Sequence, residues 1–251
     1  MRVAFAGQVP KDLAFAGEIE DAMAVATEAG RVAISDGASE SYDSRSWAQL
    51  LVQRFVADPD VGPGWLNAAV AEYREQSSFT DLSWSRQAAF DRGSYASLLG
   101  IEYFQGEHWL KVHCVGDSVA VLIDVREACK YTFYYNYSRL FSQRPDLLST
   151  DPARNTAFTA YPFFASHTTS WRLDAGAPWV VLCMTDAMGE WALRQHECRQ
   201  PVWNELLALE VQTDLDALVA EARESRDMRV DDVTLVRLSF DDSRADGLPD
   251  A

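Results

Sequence analysis

Apolar residues recur along the chain in two rhythms, and each change of rhythm marks a change of element. The stretch "DAMAVATEAGRVAISDG" (21–37) holds two short apolar runs around a Gly-containing turn and predicts an antiparallel hairpin. In "SWAQLLVQRFV" (46–56), Trp47, Leu50, Leu51 and Phe55 fall at helical spacing. "PGWLNAAVAEYREQ" (63–76) opens on Pro63 and predicts a second helix, and "DLSWSRQAAFD" (81–91) a third. The period then shortens. "YASLLGIEYF", "HWLKVHCVG" and "SVAVLID" are successive β-rich runs separated by "QGE" and "GDS", a meander. Residues 130–176 are rich in Tyr and Phe without a clean period, as expected of strand mixed with irregular loop.

Beyond them, "WVVLCMTDAMGEW" (179–191) is a buried strand ending on Asp186, and "NELLALEVQTDLDALVAEARESRD" (204–227) carries one or two amphipathic helices. "DDVTLVRLSF" (231–240) is a final strand entered through Asp231 and Asp232. No repeat or Gly/Ser/Pro linker divides the chain. A single domain over 1–240 is expected, with a polar, fraying tail at 241–251. Antiparallel strand runs interrupted by blocks of helix predict an α+β fold of sheets packed on each other with helices outside.

Composition narrows the classes. The chain is 48% hydrophobic with eight Trp, ample for a core. Its 38 acidic against 22 basic residues give a formal charge of −16, which disfavours nucleic acid and anionic lipid as partners. No apolar run approaches the ~18 residues a membrane span needs. The four Cys (114, 129, 183 and 198) and four His are scattered without zinc-ligand spacing. The expectation is a reduced, cytoplasmic protein. No serine-hydrolase elbow, P-loop or dinucleotide fingerprint occurs.

The candidate chemistry lies in carboxylates at strand ends. Asp21 precedes "AMAVA", Asp36 follows "VAIS", Asp186 follows "VVLCMT" and Asp231 precedes "VTLVRL". Gathered at one sheet edge they would repel one another and call for a compensating cation. Oxygen-only donors select hard ions such as Mg²⁺ or Mn²⁺. Gly37, with no side chain, lets the backbone approach such an ion.

The ordered set "EDA" (20–22), "SDG" (35–37), "VGDS" (115–118), "TDAMGE" (185–190) and "DDVT" (231–234) resembles the metal-dependent, type-2C family of Ser/Thr protein phosphatases across nearly the whole chain. The resemblance implies two antiparallel sheets stacked as a sandwich with helices on both outer faces. It implies two divalent cations, Mg²⁺ or Mn²⁺, with Asp36 bridging them, the Gly37 carbonyl on one, and Asp21, Asp186 and Asp231 as further ligands. Glu20 would hold a metal-bound water, and Asp36 and Asp186 would be central to catalysis. Asp117 would serve the "GDS" turn, Gly116 supplying its backbone angle. The implied reaction is hydrolysis of phosphoserine or phosphothreonine by a metal-activated water. Its partners would be a phosphorylated protein and a cognate Ser/Thr kinase.

Three family features are absent. The Arg that family members carry before "NED" is missing, with Ala16 near its place and Ile19 for Asn. Ala38 replaces a His after "DG", and Ala187 a Gly after the third Asp. Arg45 and Lys11 are the nearest basic alternatives to hold the substrate phosphate, beside the metals alone or a residue within 130–176. The missing Arg favours a rival reading, a phosphatase-like module that binds a phosphoprotein or kinase without hydrolysing it.

Overall fold

In the computed structural model, which describes residues 1–39, 41–76, 92–126, 128–159, 162–174 and 176–240, the strand runs form two five-stranded antiparallel sheets. The first sheet has the order β1 (Arg2–Val9), β12 (Val233–Ser239), β11 (Trp179–Met184), β7 (Val119–Asp124), β8 (Ala128–Phe133). The second has the order β10 (Thr168–Arg172), β6 (Trp109–Val115), β5 (Leu98–Phe104), β3 (Arg31–Ser35), β2 (Ala22–Ala26). A two-stranded piece, β4 (Tyr95–Ala96) with β9 (Leu148–Ser149), lies beside them. The expected hairpin is β2 with β3, Ala22 opposite Ser35.

Side-chain alternation explains why the central strands read as unbroken apolar runs: both of their faces are buried. On β7, Ala120 and Leu122 join a core between the sheets with Ile34, Ile101, Val112, Val181 and Val236. Val119, Val121 and Ile123 face the other way, onto helices. Those helices are α3 (Asp186–Glu197), α4 (Val202–Ala208) and α5 (Gln212–Glu224). They contribute Met188, Trp191, Leu206 and Leu215. On the outer face of the second sheet lie α1 (Ser44–Ala57) and α2 (Pro63–Gln76). Trp47, Leu51 and Phe55 pack there against Ala24 and Ala33. The layers are therefore helix, sheet, sheet, helix, as expected from the sequence. The helix expected over 81–91 and the tail at 241–251 lie outside the described residues. Among those residues no helix is long and apolar enough to cross a membrane.

One strand, β1, has no counterpart in the sequence reading, and β10 falls in the 130–176 stretch where strand and loop are expected without bounds. β1 is built from Ala, Gly and Gln as much as from Phe5 and Val9, yet it pairs along β12 from Arg2–Ser239 to Val9–Val233. β10, "TTSWR", is an edge strand whose polar residues pair with β6.

One close approach fixes α1 on its sheet. A Cβ added at Gly100 would lie 2.3 Å from the Phe55 ring. Gly100→Ala should therefore destabilise by about 1–3 kcal/mol through overpacking. Urea unfolding would read the loss, and a Phe55→Leu background should reduce it.

Candidate functional site

Five chain segments end or begin at the same end of the sandwich, and each brings an acidic residue. Asp36 and Gly37 follow β3, Asp117 sits between β6 and β7, and Asp186 starts α3 directly after β11. Asp231 precedes β12, and Asp21 precedes β2. Asp36, Gly37, Asp117, Asp186 and Asp231, with Ser39 and Leu147, line a cleft of about 190 Å³.

Local structure holds the two central loops. The Asp36 N–H donates to Ser97 Oγ (2.9 Å), the Ser97 N–H returns to the Asp36 carbonyl (2.9 Å), and the Ala38 N–H donates to the Tyr95 carbonyl (2.9 Å). A Cβ on Gly37 would lie 2.8 Å from the Glu20 carbonyl oxygen, so only glycine fits without displacing the segment before β2. Gly116 has φ 103°, a conformation that L side chains rarely adopt. The turn it makes carries Asp117 into the cleft. Asp117 thus does more than shape a turn, because one carboxylate oxygen each from Asp36, Asp117 and Asp186 lies within 4.8 Å of the others. Asp186, the first residue of α3, benefits from the positive end of that helix.

Asp21 has a different environment. It is buried, and Thr185 Oγ1 (2.9 Å) and Thr234 Oγ1 (2.7 Å) both donate to its Oδ2. Thr185 Oγ1 in turn accepts from the Thr234 N–H (2.9 Å), and Thr234 Oγ1 from Gln8 Nε2 (2.9 Å). The network joins β1, β2, β11 and β12 behind the cleft. Thr185→Val and Thr234→Val should each destabilise by about 1–3 kcal/mol, since each leaves a buried carboxylate one donor short. Equilibrium urea unfolding checks this; an unchanged midpoint would mean that Asp21 finds other donors.

The electrostatics are those of crowded like charges. Burial first, then Asp117 and Asp231, push the Asp36 carboxyl up to about 8, with the Arg229 guanidinium opposing. Burial and the Asp36 charge hold Asp21 well above the ordinary carboxylate range, and burial raises Asp117. Among the described residues, Asp21 Oδ1 and Asp186 Oδ1 are buried without a hydrogen-bond partner.

Arg229 is the residue that sequence reasoning missed. Its guanidinium pairs with Asp186 Oδ2, and its Nε lies 4.0 Å from Asp231 Oδ2. It sits two residues before Asp231 in a polar loop with no period to mark it.

The remaining candidates lie around the cleft. Glu20 accepts from Lys11 Nζ (2.5 Å), Ser39 Oγ (2.5 Å) and Ser44 Oγ (2.6 Å). Burial works against its ionisation, but those three donors outweigh it and lower its pKa. Lys11 Nζ also donates to Ser39 Oγ (2.7 Å), one side chain from the cleft wall. Arg45 is exposed and donates to the Gly17 carbonyl; it does not line the cleft. Asp232 clamps backbone, accepting from the Lys11 N–H (2.7 Å) and the Glu20 N–H (2.8 Å).

No protein-family profile matches the chain. No curated protein matches it either. Solved structures do. The Mycobacterium tuberculosis serine/threonine phosphatase PstP/Ppp aligns over 94% of this chain and 97% of its own, with a TM-score of 0.58 at 16% identity. The photosystem II phosphatase PBCP aligns over 93% and 97%, also at 0.58 and 16%. The PstP catalytic domain in complex with two manganese ions aligns over 94% and 97%, at 0.51 and 17%. The likeness is one of fold: this chain has the architecture of the type-2C phosphatase structures.

Proposed function

We propose that the chain is a Mg²⁺- or Mn²⁺-dependent phosphatase acting on phosphoserine or phosphothreonine in proteins. The observation that carries the reading is the convergence of Asp36, Asp117 and Asp186 within 4.8 Å at one end of a phosphatase-type sandwich. The donor set fits hard divalent cations, being all oxygen, mutually repelling and supplied with a buried Asp186 oxygen that lacks a partner. Asp36, the Gly37 carbonyl, Asp117, Asp186 and Asp231 would hold two such ions. Asp21 would back them through Thr185 and Thr234. Bound there, the ions would supply Lewis-acid activation of water and charge neutralisation at phosphorus.

The chain's own groups have definite tasks in this reading. The carboxylates fix the position of the ions, and the Gly37 turn keeps the cleft open at that point. Lys11, bonded to Ser39 on the cleft wall, and Arg229, paired with Asp186, would orient a phosphate, a role for which Arg45, turned to Gly17, is less well placed. Glu20, held by Lys11, Ser39 and Ser44, would order water at the rim.

The engagement of Arg229 with two site carboxylates favours a second reading, a phosphatase-like module that binds a phosphoprotein or kinase without turnover. Manganese-dependent hydrolysis of p-nitrophenyl phosphate separates the two. Turnover that chelation abolishes is expected; none at any manganese concentration would select the module.

A further inference from the structure

A second and larger cavity, about 550 Å³, adjoins the carboxylate cleft and shares Ala38 and Leu147 with it. Its polar lining has the opposite sign to the rest of the molecule. Arg92, Arg144 and Arg154 line it against a single aspartate, Asp146, on a chain whose formal charge is −16. All three arginines are exposed. Arg154 is 3.7 Å from Asp151; Arg92 and Arg144 have no ion pair among the described residues. Tyr42, Tyr95 and Phe158 give the same cavity an apolar wall. The three arginines come from separate segments, one before β4 and two flanking β9, and only the fold brings them together.

We propose that this groove binds the acidic side chains of a substrate peptide, selecting phosphoproteins with Asp or Glu close in sequence to the phosphorylated residue. The proposal rests on the phosphatase reading for the position of the phosphate, and on charge and shape for the rest. An extended peptide advances about 3.3–3.6 Å per residue, so a phosphoresidue at the carboxylate cleft places its near neighbours over the adjoining wall. Guanidinium groups recognise carboxylates through paired N–H donors, and the aromatic wall accepts the aliphatic parts of the peptide. Local positive charge on a strongly acidic protein also counters the general repulsion that an acidic substrate would meet.

The test uses the full chain and three fluorescent peptides that share one backbone and carry a non-hydrolysable phosphonate in place of phosphoserine. Their flanking residues are Asp/Glu, Ala/Ser or Lys, and fluorescence anisotropy reads their binding. The acidic peptide should bind about tenfold more tightly than the Lys peptide, as two or three exposed ion pairs allow. Raising salt from about 50 to about 500 mM should erase the difference. Arg92→Ala with Arg144→Ala should abolish the preference, and Arg144→Glu should turn it towards the Lys peptide. Circular dichroism checks that these surface variants are folded. Three peptides binding alike, none binding, or a preference that survives the double substitution overturns the proposal. Manganese-dependent p-nitrophenyl phosphate hydrolysis by the wild type scores the catalytic reading separately. Acidic preference without turnover keeps the groove and removes the phosphatase; turnover without preference removes the groove alone.

Discussion

Asp36→Asn should abolish metal-dependent turnover, by on the order of 10³-fold or about 4 kcal/mol of transition-state stabilisation, while making the metal-free protein more stable at neutral and alkaline pH. The two effects have one cause. Asp36 stands where Asp117 and Asp186 carboxylates also point, so a neutral amide would remove a proposed metal ligand and relieve repulsion together. The pH dependence carries the signature. Asp36 titrates at about 8 in the fold and near 3.8 when unfolded, so between those values the native state binds more protons than the unfolded state. Stability then falls as pH rises, and the loss is complete above about 8.

His113 acts in the opposite sense at lower pH. Burial, with Lys111, depresses it to about 4, so its cost to the fold disappears as pH rises towards 6.5. The window from 6.5 to 8 therefore isolates the carboxylates. In EDTA the wild-type Tm should fall across that window, and the Asp36→Asn slope should be clearly shallower. A variant that keeps manganese-dependent turnover, or an identical slope, would remove Asp36 from the centre of the site.

Asp36, Asp186 and Asp231 were legible because each flanks an apolar run, and a carboxylate at the end of a buried strand stands out from its neighbours. The double-faced burial of β7, β11 and β12 made those strands legible for the same reason. Asp117 was half legible. Its "GDS" turn is visible in sequence, but the direction of its carboxylate depends on the backbone angle at Gly116 and on packing against Ser97, where a Gly116 Cβ would lie 2.5 Å from the Ser97 Cβ. β1 escaped, and β10 could be expected only as unbounded strand within 130–176, because pairing with β12 and β6 sustains them and no apolar period announces them. The groove arginines at 92, 144 and 154 escaped because nothing in the chain order links them. Residues whose role is local pattern are readable from sequence; those whose role is long-range juxtaposition need the fold.

Arg229→Ala should tighten manganese binding and weaken the metal-free fold, two shifts of opposite sign from one truncation. The guanidinium pairs with Asp186 and approaches Asp231, and its charge also opposes the upward shift of Asp36 and Asp117. It is thus a counter-ion of the cluster, and under the proposed function a metal would have to compete with it for the same oxygens. Removing the competitor should improve manganese affinity about tenfold, near 1.4 kcal/mol. Removing the counter-ion should cost the metal-free protein about 1 kcal/mol, a figure discounted because the Arg229 side chain as a whole is part-exposed, although its Nε and Nη2 are buried. Isothermal titration with manganese and thermal unfolding in EDTA measure the two sides. Arg229→Lys should fall between, keeping the charge without the planar fork. The double variant Asp36→Asn/Arg229→Ala adds a further check. With one carboxylate neutral the counter-ion has less to balance, so the stability loss from Arg229→Ala should shrink and the two substitutions should not add. Manganese affinity that is unchanged or weaker in Arg229→Ala would show that the guanidinium does not compete with the metal.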